Sequence, residues 1–89
     1  MEAFARPNEV GFARLGIVIG RKAVGRAVDR NQCKRWVRER FRATHEELAG
    51  LDVVVRFRAG RERRVLEDAR SEITEVLSAI ARCRDSLLA

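Results

Sequence analysis

Between Ala23 and Arg42 the chain reads AVGRAVDRNQCKRWVRERFR, and cations that can grip oxyanions recur through it at helical spacing. Lys34, Arg38 and Arg42 are four residues apart, so on a helix they lie one above another, with Asn31 and Arg35 beside them. Guanidinium forks hold phosphate oxygens two at a time, and each phosphate neutralised releases counterions, which makes such binding strong and salt-dependent. From Arg21 to Arg42 nine cations (Arg21, Lys22, Arg26, Arg30, Lys34, Arg35, Arg38, Arg40, Arg42) stand against two acids (Asp29, Glu39), a local charge of +7. The whole chain has 19 Lys and Arg against 13 Asp and Glu, or +6, so the rest sums to −1 and the positive field comes from one segment. A nucleic acid or an anionic membrane surface is the partner class this implies.

Other chemistries find little support. His45 is the sole histidine, with no Ser or Cys partner evident, and reads as a surface residue rather than a general base. Cys33 and Cys83 are fifty apart, without a CxxC or a nearby His pair, which argues against a metal site and for reduced thiols. No catalytic and no metal-ligating residues are therefore assigned. No 18-residue apolar run exists for a membrane span, and MEAFARPNEV lacks the basic-then-apolar pattern of a signal peptide, so the expected location is the cytoplasm, with no membrane partner.

The elements that must position the cations can be read from periodicity. At 89 residues, 46% hydrophobic and 36% charged, the chain is expected to form one domain, 1–89, with a small core. Residues 2 to 6 begin a strand, and Pro7-Asn8-Glu9-Val10-Gly11 is turn-like, predicting a hairpin with the next strand. From Arg14, RLGIVIGRKAV sets Leu15, Ile17 and Ile19 on one side and Gly16, Val18 and Gly20 on the other, a bare face that an extended ligand or a closely packed helix could approach. Asp29 or Asn31 can cap a helix from about Arg30 to Ala49, ended by Gly50. Cys33, Val37, Phe41, Thr44 and Leu48 form its apolar stripe, with Trp36 on the flank as a packing residue, opposite the cations. LDVVVRFR, Leu51 to Arg58, alternates as a second strong strand, making a strand–helix–strand crossover. After the loop AGRERR, Leu66, Ala69, Ile73, Val76, Ile80, Cys83 and Leu87 repeat at three and four through a last helix, expected to cover the sheet rather than form a coiled coil.

GRKAVGRAVDRNQCKRWVRERFR followed by LDVVVRFR resembles the bacterial ribonuclease P protein subunit, on Lys22, Gly25, Ala27, Val28, Arg30, Asn31, Lys34, Arg35, Arg38, Glu39, Phe41 and Arg42. The resemblance covers nearly the whole chain. It implies a two-layer α/β (α+β) domain, similar to domain 2 of ribosomal protein S5, with a small sheet and a left-handed βαβ crossover. It further implies that catalysis lies in an RNA subunit, which also brings Mg²⁺, and that the protein docks on that RNA while its sheet holds the single-stranded leader of precursor tRNA. RNA-binding residues are then Arg21, Lys22, Arg26, Arg30, Asn31, Gln32, Lys34, Arg35, Arg38 and Arg42, with Gly16, Val18 and Gly20 as a leader-contact face.

Two departures from the family pattern stand out. Gln32 replaces a usual third Arg. Members usually place a basic, apolar helix and a strand before the turn at Pro7, whereas here Ala3 and Phe4 stand where an aromatic-bearing strand would run. The expectation is a fold lacking that helix and first strand, with an exposed sheet edge or the last helix open to self-association. Two rival functions remain: a DNA-binding regulator dimerised by the last helix, with Arg30 to Arg42 in the major groove, and a structural or ribosomal RNA-binding protein.

Overall fold

The computed structural model describes residues 1–58 and 65–88. Strands β1 (Glu2–Pro7), β2 (Arg14–Ile19) and β3 (Leu51–Phe57) form a mixed sheet, with helix α1 (Ala27–Thr44) between β2 and β3 and helix α2 (Val65–Leu88) after them. The order β1-β3-β2 puts β3 in the middle, antiparallel to β1 and parallel to β2.

The sheet differs from a hairpin because β3 inserts between β1 and β2. LDVVVRF takes the centre, where Leu51, Val53, Val55 and Phe57 are all buried, at 5% exposure or less. Residues 8–13 then bridge two strand spacings, roughly 10 Å. Asn8 holds that bridge: its N–H donates to the Gly50 carbonyl (2.9 Å), its Nδ2 to the Phe12 carbonyl (2.8 Å), and its Oδ1 accepts from the Val10 N–H (3.0 Å). Residues 2 to 6, read as a strand, do form one, β1, but it pairs with β3 from Glu2↔Arg56 to Pro7↔Leu51, carrying Phe4.

Both helices lie on one side of the sheet. Cys33, Val37, Thr44 and Leu48 are buried and Phe41 half-buried, as the stripe predicts. The helix starts earlier than expected, at Ala27. Its cap position is Arg26, extended (φ −91°, ψ 134°), with no side-chain cap; Asp29 sits inside the first turn, where its charge suits the helix dipole. Regular helix stops at Thr44, whose hydroxyl donates to the Arg40 carbonyl (2.9 Å), and a run of turns carries the chain to Gly50 at φ +88°. A side chain there would be strained and would meet Leu88.

α2 packs beside α1 and against β1, and its seam is Ala69, Ile73 and Leu77, all at most 1% exposed, flanked by Val76, Ile80 and Ala81. Cys83 and Leu87, expected in that stripe, are exposed, and half-buried Arg84 meets the core side instead, its Nε donating to the Ala49 carbonyl (2.7 Å). The side chain of Leu66 and the loop AGRERR lie outside the described residues. With its apolar seam used internally, the described residues of α2 offer no coiled-coil face for the DNA-binding dimer.

Candidate nucleic-acid interface

α1 separates its two sides because its stripe is fixed in the core. Asn31, Arg35, Arg38 and Arg42 are exposed and Lys34 half-buried, along the side of α1 away from the stripe. Among the described residues none of Lys34, Arg35, Arg38 and Arg42 is in an ion pair. Four cations without internal counter-ions on one helix side make a surface that favours a polyanion.

The loop ahead of α1 adds Arg21, Lys22 and Arg26, all exposed, the last 3.9 Å from Asp29. Arg30 plays a different part from its neighbours: half-buried, its Nη1 donates to the carbonyls of Val24 (3.0 Å) and Gly25 (2.9 Å), fastening the loop onto the helix. Gln32 is half-buried on the flank of Trp36, away from the cation column. Gly20 lies one residue past β2, its carbonyl accepting from the N–H groups of Ala23 and Val24 (both 3.1 Å), so it shapes the turn into the basic loop.

The second surface is the sheet face that carries no helix. Phe4, Val54 and Gly16 lie in one row across the three strands, Phe4 facing solvent at 54% exposure and Val18 at 51%. Gly16 keeps that row low, and a shallow groove of about 320 Å³ runs over Phe4, Arg6, Arg14, Gly16, Asp52 and Val54. A Cβ on Gly16 would come to 3.5 Å from Val54, an ordinary contact, so its bareness shapes the face rather than relieving a clash. The exposed cations Arg6, Arg14, Arg56 and Arg58 border it. Arg14 pairs with Asp52 and Arg58 with Glu2, leaving Arg6 and Arg56 outside any ion pair among the described residues. The Arg14 guanidinium, donating to both Asp52 oxygens, holds that carboxyl below its usual range despite some desolvation, with Asn8 and Arg6 assisting. An exposed aromatic, a low apolar floor and unpaired guanidinium groups are what an extended single strand needs for stacking and phosphate contact.

Gly16 and Val18 thus sit where the alternation of β2 places them. Phe4, Arg6, Arg14 and Arg56 were not among the sequence-derived site residues. For Arg56 the signal existed in the alternation of LDVVVRFR, but the charge of this face emerges only when three strands are aligned. Trp36 is half-buried against the core, as a packing residue. Cys33 is buried, which pushes its thiol up, with Asp29 adding to the effect, and Cys83 is exposed; both are free. Among the described residues no three potential ligands gather around a metal position.

The family model for ribonuclease P matches residues 1–81. The ribonuclease P protein component of Chromobacterium violaceum is 42% identical over 85 residues, 96% of this chain and 70% of that protein. That of Alcanivorax borkumensis is 46% identical over 80 residues, 89% of this chain and 66% of that protein, so the chain spans about two thirds of the length of these relatives. Among solved structures, the RNase P protein of Thermotoga maritima superposes with a TM-score of 0.70 at 34% identity, covering 90% of this chain and 76% of that one. The Staphylococcus aureus RNase P protein gives 0.67 at 27% identity, covering 90% and 70%. The chain belongs to the ribonuclease P protein family.

Proposed function

We propose that the chain docks on the catalytic RNA of ribonuclease P through the exposed side of α1 and lays the unpaired 5′ leader of precursor tRNA along the open sheet face. A member of this family is the non-catalytic protein part of a tRNA-processing ribonuclease. Its work is to bind and position RNA, while Mg²⁺ enters through the RNA subunit. The observation that carries the reading is that, among the described residues, Lys34, Arg35, Arg38 and Arg42 meet no acid in an ion pair, on a helix whose other side is locked in the core. Arg21, Lys22, Arg26 and Asn31 extend that surface to the loop, and Arg30 holds loop and helix together. Phe4, Gly16 and Val18, with Arg6 and Arg56, form the leader surface, and Gly20 joins it to the basic loop.

No helix among the described residues is long and apolar enough to cross a membrane, in keeping with work on RNA in the cytoplasm. The test is competitive binding at equal salt. A bacterial ribonuclease P RNA should outcompete duplex DNA of equal phosphate count by tenfold or more; equal affinity for both would favour the DNA-binding reading.

A further inference from the structure

The groove between the two helices, on the far side of the sheet from the leader surface, carries cations that the RNA-docking reading does not use. Trp36, Glu39, Arg40 and Ala43 of α1 and Arg70, Ile73 and Thr74 of α2 line about 240 Å³. A water occupies roughly 30 Å³ in the liquid, so the groove has room for a phosphate group with several waters. Arg40 is half-buried. Its Nε is cut off from solvent and meets no acceptor, and its Nη2 lies 3.5 Å from Ser78 Oγ, at the limit of a hydrogen bond. Among the described residues neither Arg40 nor Arg70 forms an ion pair.

A partly desolvated guanidinium with an unmet N–H is costly unless an anion completes it. Arg40 follows Trp36 by one helical turn, so both side chains line the groove on its α1 side. The Thr74 hydroxyl donates to the Arg70 carbonyl (3.1 Å). Among the described residues Glu39 is the one acid lining the groove, and it is exposed.

We propose that the α1–α2 groove holds a phosphate group between Arg40 and Arg70 against the Trp36 ring, as an anion site separate from the basic side of α1 and from the sheet groove. A phosphate fits because its oxygens can accept from the Arg40 fork and from exposed Arg70 together. Glu39 opposes it and sets its affinity. The phosphate comes either from an RNA backbone or from free phosphate, and this assignment does not depend on which RNA the chain binds.

The experiment is a titration of the whole chain with inorganic phosphate at constant ionic strength, following the arginine Nε–H signals by NMR. The Arg40 signal should move and saturate, Arg70→Met should weaken its apparent affinity at least threefold, and Glu39→Gln should strengthen it. Arg70 is exposed, so that variant keeps the fold. An Arg40 signal that stays still while the α1 surface arginines respond would overturn the site, as would identical titrations for wild type and Arg70→Met. With catalytic RNA in place of phosphate, a salt slope lowered in Arg70→Met by about 0.7–0.9 identifies a backbone phosphate as the occupant. An unchanged slope, with the phosphate response intact, identifies free phosphate.

Discussion

Arg14 and Asp52 meet in a two-pronged ion pair that ties β2 to β3: Nε stands 2.6 Å from Oδ1 and Nη2 2.9 Å from Oδ2, with Asn8 Nδ2 adding a third bond to Oδ1 at 3.1 Å. One carboxylate thus anchors the end strand, the central strand and the crossing loop, at the edge of the proposed leader surface.

This pair predicts an acid-side loss of stability. The folded state holds Asp52 below its usual value of 3.8, so its contribution is present above that value and disappears as pH falls through the depressed one. Asp52→Asn should lower stability in urea at pH 7, and the gap to wild type should shrink on going from pH 5 to pH 2. A gap that is constant across that range would contradict the assignment.

The α1 cations predict a count. Arg35→Ala and Arg38→Ala should each weaken binding to the catalytic RNA and reduce the slope of log affinity against log salt by about 0.7–0.9. Arg30→Ala should behave otherwise, because Arg30 is fastened to the Val24 and Gly25 carbonyls, and should loosen the loop as measured by amide exchange at residues 21–26.

The α2 seam makes a packing prediction. Leu77→Ala should cost about 2–5 kcal/mol in chemical denaturation, as deletion of a fully buried leucine does. Leu87→Ala, at a residue 36% exposed, should cost roughly 0.5 kcal/mol or less. A heptad seam would make Leu87 the more damaging position of the two.

Thiol chemistry separates the cysteines. Exposed Cys83 should react rapidly with a disulfide reagent at pH 8, whereas Cys33 should wait for unfolding, since the thiolate is the nucleophile and burial disfavours it. Because the folded-state value of Cys33 is raised, its neutral-thiol contribution is complete below the ordinary thiol range and is lost as pH rises through the raised value. Two fast thiols in native protein would contradict the packing of α1.

Much of this was legible because it rests on short-range periodicity. Alternation in β2 and β3, the Cys33–Val37–Thr44–Leu48 stripe and the opposite column of cations follow from spacings of two, three and four. The placement of β1 was not, because pairing with β3 across more than forty residues outweighs the turn signal at Pro7-Asn8, and β3 takes the centre through its four buried side chains. The start of α1 was missed for a local reason: Arg26 carries no side-chain cap, while Asp29 looks like one but sits in the first turn. The leader surface needed the fold itself, since Phe4, Gly16 and Val54 come from three strands and share a row only once the register is set.

The central claim is tested most directly by the cleavage of precursor tRNA by a bacterial ribonuclease P RNA at low Mg²⁺, with and without this protein, using substrates with a long and a one-nucleotide leader. The account predicts stimulation of correct 5′ cleavage, greater for the long leader, with that leader-dependent part reduced in Phe4→Ala. No stimulation of either substrate would contradict the account.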